Sequence, residues 1–288
     1  MRILQMFNWK LRDIIGELDN VRNQGFTHIQ TSPLQKSKEG FWWGFYQPMN
    51  LEVGNSLGTI DELKELTQEA HKRGLKIVVD VVTRHCATDD RDCTKPNNQV
   101  VDYMKNYVID RPKLYNDNDR YQVVHNHCGM PMIDYENDEY IVHVIRYFES
   151  LFHAGVDMIR LDQAKHYSLP GEFGEGNFIR TITERFGRDR IIGEVLFEEN
   201  KDLLRRFTDN FYVFSMNVLS GNNRIITAIE CHDHYLNRNE RWSTCRMSSE
   251  QIVREYEYLC GFAKNTLFYT RPFDNAWKDY RVRNGNNK

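Results

Sequence analysis

The sequence has no hydrophobic run long enough to cross a membrane. Its 288 residues are 40% hydrophobic and 27% charged, and an apolar stretch such as residues 76–80 is far shorter than the roughly 20 residues that a spanning helix needs. A long basic stripe is also missing, because acidic and basic residues are interspersed and the formal net charge is −3. We therefore expect neither a membrane nor a nucleic acid as a partner.

Two further signals are missing near the start of the chain. No Gly-rich loop follows the first predicted strand, which makes a phosphate-binding or dinucleotide enzyme a poor fit. The first residues also lack the apolar segment and the small-residue cleavage site of a secretory signal. On this basis the expected location is the cytoplasm.

Cysteine is scarce, with six residues in the whole chain. In a cytoplasmic protein of this size, thiols are more often free than paired. Cys86, Cys93 and Cys128 share one stretch with His125 and His127, and such a set of thiols and imidazoles could hold zinc. Because the spacing fits no standard zinc pattern, we expect free thiols, with a metal site or a disulfide in this stretch as alternatives.

Strand and helix patterns alternate along the chain. Apolar residues at helical spacing between positions 11 and 23 separate two short predicted strands, and Thr59 followed by Glu62 is a capping-box pattern that starts another helix. Eight strands are predicted, at residues 3–7, 27–31, 75–82, 156–162, 190–194, 211–215, 225–230 and 266–270. This alternation predicts an α/β fold with a parallel sheet inside and helices outside, a (β/α)8 TIM barrel.

The barrel is predicted to be trimmed around its sixth and eighth units. Only about ten residues separate the sixth and seventh strands, too few for a crossover helix, and the chain stops soon after the eighth strand. The alternation also fails between His85 and Gly129, where Asp, Asn and Pro are frequent, and a loop this long is usually functional or a small subdomain. We predict a catalytic barrel from residues 1–85 and 129–288, with a small inserted domain at residues 86–128.

Carboxylates gather where four of the predicted strands end, and active sites of such barrels lie at the carboxyl ends of the strands. The polar residues there are Asp80, His85, Arg160, Asp162, Glu194, His232 and Asp233. A single Asp at a strand end is more often a helix cap than a catalyst. Several buried together are costly unless each is paired or used. Arg160 shares a strand face with Asp162 and would keep that carboxylate ionised.

Four blocks around these residues resemble the α-amylase family of glycoside hydrolases, the family 13 type. They are residues 80–85, residues 155–166, Gly193 with Glu194, and His232 with Asp233. Four blocks in the family's order are a specific signal, whereas any one alone is weak. Residues 29–33, 46–48 and 230–235 are most similar to bacterial α-amylases. The family's C-terminal β-sandwich domain is absent from this sequence, so the resemblance implies a compact form, which we expect to rely on a partner or on self-association for stability.

The resemblance implies a role for each acidic residue. Asp162 corresponds to the nucleophile, Glu194 to the general acid/base, Asp233 to the carboxylate that steadies the transition state, and Asp80 to the residue that orients Arg160. A retaining mechanism of this kind needs two carboxyl groups about 5 Å apart on either side of the scissile bond.

The resemblance also implies a set of substrate contacts. Tyr46 corresponds to the tyrosine on which the sugar stacks, and Lys165 and His166 to residues on the leaving-group side, which favours endo-acting cleavage. The full set is Trp42, Trp43, Tyr46, Gln47, His85, Arg160, Lys165, His166 and His232. For the aromatic run at residues 41–46, the alternative is core packing, and an aromatic cluster beside a glycine in a loop favours sugar stacking.

Two positions depart from the family's pattern. Arg84 stands where the family has an Asn that ligates a structural calcium ion, and Met132 stands where an Asp is expected. Because calcium needs several oxygen ligands, we expect that no cofactor is required and that the calcium site is lost or weak. Our hypothesis is that Arg84 brings its own positive charge to that site and joins the long loop to the barrel.

These observations predict a retaining glycoside hydrolase. Its expected substrates are α-1,4-linked glucans of the starch or glycogen type, or maltooligosaccharides. One alternative is a non-catalytic sugar-binding relic, against which the retained Asp162, Glu194 and Asp233 argue. The other is a glucosyltransferase on the same barrel, which would share all three carboxylates.

Overall fold

The computed structural model describes residues 1–196, 198–216, 222–271 and 276–279. The strands in this part of the chain are β1 (Arg2–Met6), β2 (His28–Thr31), β3 (Gln35–Ser37), β4 (Pro48–Val53), β5 (Lys76–Val81), β6 (Val108–Ile109), β7 (Met132–Ile133), β8 (Met158–Leu161), β9 (Ile191–Glu194), β10 (Tyr212–Met216), β11 (Ile225–Ala228) and β12 (Thr266–Tyr269). Eight of them close into a barrel in the order β1-β12-β11-β10-β9-β8-β5-β2. All neighbouring barrel strands are parallel, so the predicted (β/α)8 fold is confirmed.

The helices surround this barrel or lie in its loops. They are α1 (Leu11–Asn23), α2 (Ile60–Lys72), α3 (Asp102–Lys105), α4 (Arg120–His125), α5 (Asp138–His153), α6 (Asn177–Phe186), α7 (Lys201–Asn210), α8 (His232–Leu236) and α9 (Ser249–Cys260). The capping box predicted at the start of α2 is present, because the Thr59 side chain accepts from the Glu62 N–H and the Glu62 carboxylate accepts from the Thr59 N–H.

Two apolar layers stabilise the barrel. The larger one packs the outer faces of the strands against the helices, for example through Leu18, Leu66 and Phe148. The smaller one fills the barrel interior with side chains such as Val78, Met158 and Phe214. Both faces of the strands are therefore buried, which explains the continuous apolar run in β5.

Residues 217–224 separate β10 from β11, which is fewer than the dozen or so residues of a usual crossover connection. The predicted close spacing of the sixth and seventh barrel strands is therefore confirmed, whereas the prediction of a trimmed eighth unit lies largely outside the described residues. After β12, the structure describes one short 3-10 helix, Ala276–Asp279. The indole of Trp277 is buried there and meets the Trp9 ring edge-on, with centroids 6.1 Å apart.

Two small antiparallel sheets stand outside the barrel. Strands β3 and β4 form a hairpin after β2, and a 3-10 helix, Trp42–Tyr46, lies between them. Strands β6 and β7 pair within the irregular segment between β5 and α5, which also contains α3 and α4. Both sheets lie in connections that follow the carboxyl ends of β2 and β5. The predicted site residues lie at this same end of the barrel.

The cysteines agree with the expectation of free thiols, because all six are unpaired. Cys86 is buried, Cys93 is exposed and Cys128 is half-buried. Within the described ranges, these three and the neighbouring histidines form no group with metal-binding geometry. In the same part of the chain, no helix has the length and apolar character needed to cross a bilayer.

Two glycines at equivalent helix ends provide a test of packing in this fold. Gly74 follows α2 and Gly155 follows α5, both with positive φ, and a Cβ on Gly155 would lie 2.6 Å from Thr67 Oγ1 whereas one on Gly74 meets nothing within 4 Å. We expect Gly74→Ala to lower the free energy of unfolding by about 1–2 kcal/mol through backbone strain. Gly155→Ala should lower it by a further ~1–3 kcal/mol through overpacking. Urea unfolding measures both, and equal losses would contradict this packing.

Candidate active site

Strand register brings the predicted catalytic residues together at the barrel mouth. Asp80 on β5 is the direct partner of Arg160 on β8, so their side chains leave the sheet side by side. Asp162 comes directly after β8, and Glu194 is the last residue of β9. Asp233 lies in the first turn of α8, shortly after β11.

The Arg160 guanidinium joins three of these carboxylates. Its Nη1 donates to both oxygens of Asp80 at 2.8 Å and to Asp162 Oδ1 at 3.2 Å. Its Nη2 donates to Glu194 Oε1. The other carboxylate oxygen of Glu194, Oε2, accepts from the backbone N–H of Gln163 at 3.0 Å. Sequence reasoning paired Arg160 with Asp80 and Asp162 and missed Glu194, because no periodicity relates β8 to the end of β9.

Burial governs the protonation of this cluster. It raises the pKa of Asp162 well above the usual range, and the charge of Glu194 adds to the effect. It also raises the pKa of Asp80, to about 6, against the opposing influence of Arg160, and it raises the pKa of Asp233. The expectation that Arg160 keeps Asp162 ionised was therefore wrong in direction, because Arg160 lowers the pKa of this carboxyl group by less than burial and Glu194 raise it.

A stack of three rings forms one wall of the site. The imidazole of His232 lies 4.6 Å from the Phe7 ring and 5.0 Å from the Tyr46 ring, centroid to centroid, and these two rings are 6.3 Å apart, with all three planes within 15° of parallel. The Tyr46 hydroxyl donates to Asp80 Oδ2 at 2.7 Å, and Gln5 Nε2 donates to His232 Nδ1 at 3.0 Å. Burial lowers the pKa of His232 to about 3, so this ring is neutral.

Phe7 and Gln5 were missed by sequence reasoning. Both lie at the end of β1, where alternate side chains face the barrel interior, and that position is the signal that could have identified them. His85, which was predicted, donates from Nε2 to the Tyr46 carbonyl at 2.8 Å. Its Nδ1 is buried without a protein partner, which leaves that atom available to a sugar hydroxyl.

The remaining aromatic residues lie at the rim. Trp42 meets the His232 ring edge-on at 6.0 Å. Trp43 is 38% exposed and stacks on exposed Phe41 at 5.0 Å. Gln47 is buried, and its Oε1 accepts from the backbone N–H and the hydroxyl of Thr88 at 3.1 Å each. The side-chain carbonyl of Gln47 is thus held by Thr88, which belongs to the predicted insert at residues 86–128.

The cluster opens into two adjoining cavities of about 320 Å³ each. One is lined by Trp42, Trp43, Tyr46, Gln47, His85, Cys128, Met130, Asp162, Gln163, Glu194, His232 and Asp233. The other is lined by Asp117, Asn118, Gln163, Lys165, His166, Glu194, Leu196 and Asp233. Because Glu194 and Asp233 line both cavities, a bond held between the two would lie against these carboxyl groups.

Lys165 and His166 stand on the second cavity, away from the nucleophile. They belong to a 3-10 helix, Ala164–His166. Lys165 Nζ lies 3.6 Å from Glu198 Oε2, and His166 Nδ1 donates to the Val123 carbonyl at 2.9 Å. Burial lowers the pKa of His166 to about 3, so its ring is also neutral.

Two ion pairs outside the site, each with a buried carboxylate, hold its loops. Arg120 Nη2 donates to Glu172 Oε2 at 2.8 Å and to the Tyr167 carbonyl at 2.6 Å, which anchors the loop that carries Lys165. Arg271 donates to both oxygens of Glu230, directly before the Cys231–Asp233 turn. Glu230, which ends the seventh predicted strand, is therefore a structural residue.

Arg84 lies beside the site, where it donates to three backbone carbonyls and not to a carboxylate. In the described part of the chain, the one group of His, Cys and Asp side chains with metal-binding spacing is Cys231, His232 and Asp233, whose candidate ligand atoms lie within 4.8 Å of one another. Asp233 belongs to the carboxyl cluster and His232 to the wall of rings, so this group is part of the site described above.

The chain is similar to several known proteins. Residues 9–181, more than half of the chain, match the family model described as alpha amylase, catalytic domain. An alpha-amylase of Clostridium acetobutylicum is 32% identical over 177 residues, which cover 57% of this chain and 22% of that protein. An alpha-amylase of Butyrivibrio fibrisolvens is 24% identical over 242 residues, 79% of this chain and 24% of that protein. The chain thus spans about a quarter of the length of these curated relatives.

The solved structure of alpha-amylase from Geobacillus thermoleovorans, complexed with acarbose, has the same fold. It matches with a TM-score of 0.73 at 16% identity, over 100% of this chain and 75% of that chain. The family-model match ends before Glu194 and Asp233, so the assignment of these two carboxylates to the site rests on the geometry given above.

The raised pKa of Asp162 predicts a dependence of stability on pH. The unfolded chain ionises this group near pH 4 while the folded site resists ionisation, so its contribution to stability is present at low pH and is lost as pH rises through the raised pKa. We expect Asp162→Asn, which removes the charge, to gain stability relative to the unmodified protein as pH rises above the pKa of an unfolded aspartate, about 4.

Urea unfolding at several pH values measures this difference. Asp110→Asn serves as the control, because Asp110 is exposed. The plot of its unfolding free energy against pH should run parallel to that of the unmodified protein. Parallel curves for Asp162→Asn would instead show that Asp162 ionises as freely in the fold as in the unfolded chain.

Proposed function

Because the chain belongs to the α-amylase family of glycoside hydrolases, we propose that it is a retaining enzyme that cleaves α-1,4-glucosidic bonds. The proposed substrates are starch- or glycogen-type glucans or maltooligosaccharides. The observation that carries this proposal is the convergence of Asp162 and Glu194 on one guanidinium, at the boundary between two open cavities.

The proposed reaction divides the work between two carboxyl groups. Asp162 attacks the anomeric carbon and forms a covalent glycosyl-enzyme, while Glu194 gives its proton to the departing glycosidic oxygen. Glu194 then takes a proton from water, whose oxygen attacks the anomeric carbon and releases Asp162. Each step inverts the anomeric centre, so the product keeps the configuration of the substrate.

Neighbouring groups support the charge changes of this reaction. Arg160 contacts both carboxyl groups through different nitrogens, so its charge can stabilise whichever of them is ionised. Asp233 borders the same cavities, and its carboxylate would face the positive charge that develops on the sugar ring in the oxocarbenium-like transition state. Neutral His85 and His232 suit hydrogen bonds to sugar hydroxyls without adding charge.

The two cavities differ in a way that supports a polymeric substrate. The cavity on the nucleophile side carries the aromatic rings that stack on sugars. The cavity beyond Glu194 carries Lys165 and His166 and continues past Lys165 into a further space of about 390 Å³, lined in part by Arg120, Glu198 and Asn200. Room for sugar units on both sides of the scissile bond favours endo-acting cleavage.

A glucosyltransferase activity is the second candidate function. It uses the same carboxylates and differs only in whether water or a sugar hydroxyl accepts the glycosyl group. A sugar-binding relic is disfavoured, because Asp162, Glu194 and Asp233 are all retained and each borders at least one of the open cavities.

Removing the acid/base should abolish cleavage. We expect Glu194→Gln to lower kcat on a chromogenic maltooligosaccharide and on soluble starch by about 10³-fold or more, because the amide has no proton to give the leaving oxygen. Glu240→Gln, at an exposed carboxylate, should keep full activity. Chromatography of the products separates hydrolysis from transfer. Activity retained in Glu194→Gln would refute the mechanism, and an unmodified protein without activity would favour the relic.

The leaving-group side should depend on Lys165. We expect Lys165→Ala to raise KM for maltoheptaose by about 10-fold, equivalent to about 1.4 kcal/mol of lost contact. The KM for an aryl maltoside, whose small leaving group does not extend past Glu194, should change by less than about 2-fold. Steady-state kinetics on both substrates test this, and equal effects would argue against sugar binding in the second cavity.

A further inference from the structure

Arg84 is a buried cation held by backbone carbonyls. Its side chain follows β5 and is 2% exposed. Its Nε donates to the His166 carbonyl at 3.0 Å, and its Nη2 donates to the carbonyls of Val124 and Asn126 at 2.8 and 2.9 Å. Three carbonyl oxygens therefore converge on one positive charge.

The guanidinium connects three parts of the molecule. Arg84 itself lies three residues after the barrel strand β5, Val124 and Asn126 belong to the predicted insert at residues 86–128, and His166 belongs to the loop after β8. The carbonyl dipoles compensate the positive charge of Arg84, because Arg84 takes part in no ion pair among the described residues. A protein holds a metal cation in the same way, with oxygen dipoles drawn from separate segments.

The residues around Arg84 do not fit the calcium ion that the family resemblance implies. Calcium takes six to eight hard oxygen ligands, usually with carboxylates among them. Here the fourth neighbour of the guanidinium is the Met132 thioether, 3.5 Å from Nη2, and sulfur is a poor ligand for calcium. The Arg84 side chain also fills the space toward which the three carbonyls point.

We propose that the Arg84 guanidinium acts as a built-in cation in place of a bound metal. It holds the inserted segment on the barrel and positions the leaving-group side of the site at every calcium concentration. His166 shows the coupling directly, because its carbonyl accepts from Arg84 while its ring donates to Val123, the neighbour of Val124. Arg84 is thus a positioning residue, and this proposal does not depend on which glycoside the site cleaves.

Thermal unfolding tests the proposal without any measurement of activity. The unmodified protein should melt within about 1 °C in EDTA and in 1 mM calcium chloride, and Arg84→Ala should melt roughly 5–10 °C lower in EDTA. Arg111→Ala removes a charge from an exposed position of the same segment and should melt like the unmodified protein. A rise of more than about 5 °C on adding micromolar calcium to the unmodified protein would overturn the proposal, as would an unchanged Tm in Arg84→Ala.

A double variant tests whether the three carbonyls form a cation site. Arg84→Asn with Met132→Asp replaces the guanidinium and the thioether with oxygen ligands, and we expect its Tm to rise by roughly 5 °C or more with calcium and to fall again in EDTA. Calorimetric titration with calcium chloride should give one site per chain. Met132→Asp alone keeps Arg84 and should show no response. A double variant indifferent to calcium would contradict the assignment, and this readout remains decisive if Arg84→Ala does not fold.

Discussion

The site depends on one buried guanidinium shared by three carboxylates. Arg160 contacts Asp80, Asp162 and Glu194 from within the barrel mouth. Without a cation there, burial and mutual repulsion would keep these acids neutral, and a nucleophile could not ionise. Arg160 lowers the pKa of Asp80 and of Asp162, whereas burial raises both. Compensation by one cation and desolvation by the fold thus act on the same carboxyl groups in opposite directions.

Further arginines hold the loops around this cluster. Arg120 with Glu172 holds the loop that carries Lys165, and Arg271 with Glu230 holds the turn that carries His232 and Asp233. Arg84 holds the inserted segment through carbonyls. The connection between β10 and β11 is short, yet the sheet is closed and its strands end at one mouth. The loops around the site thus have anchors of their own in addition to the barrel strands.

Much of the fold could be predicted from local patterns. The eight strands, the capping box at Thr59 and the weak sixth unit all follow from short-range periodicity and spacing, and the structure contains each of them. The predicted site residues lie at strand ends, where the topology of a parallel barrel brings them together. Contacts between distant strands could not be predicted in this way. The bond from Arg160 to Glu194 and the stack of Phe7 on His232 depend on barrel closure and on rotamers, which no periodicity encodes.

The sequence by itself determined which chemical groups the barrel carries and the order of its strands. Residue types, their period of two or 3.6, and their spacing are local properties, so alternation and strand-end carboxylates can be read from the chain directly. Tertiary structure alone decided which of these groups touch and which of them hold protons. Register set Asp80 against Arg160, burial raised the pKa of Asp162, and packing directed Arg84 onto three carbonyls. Those outcomes depend on distance and desolvation between residues far apart in the chain, and both exist only once the barrel has closed.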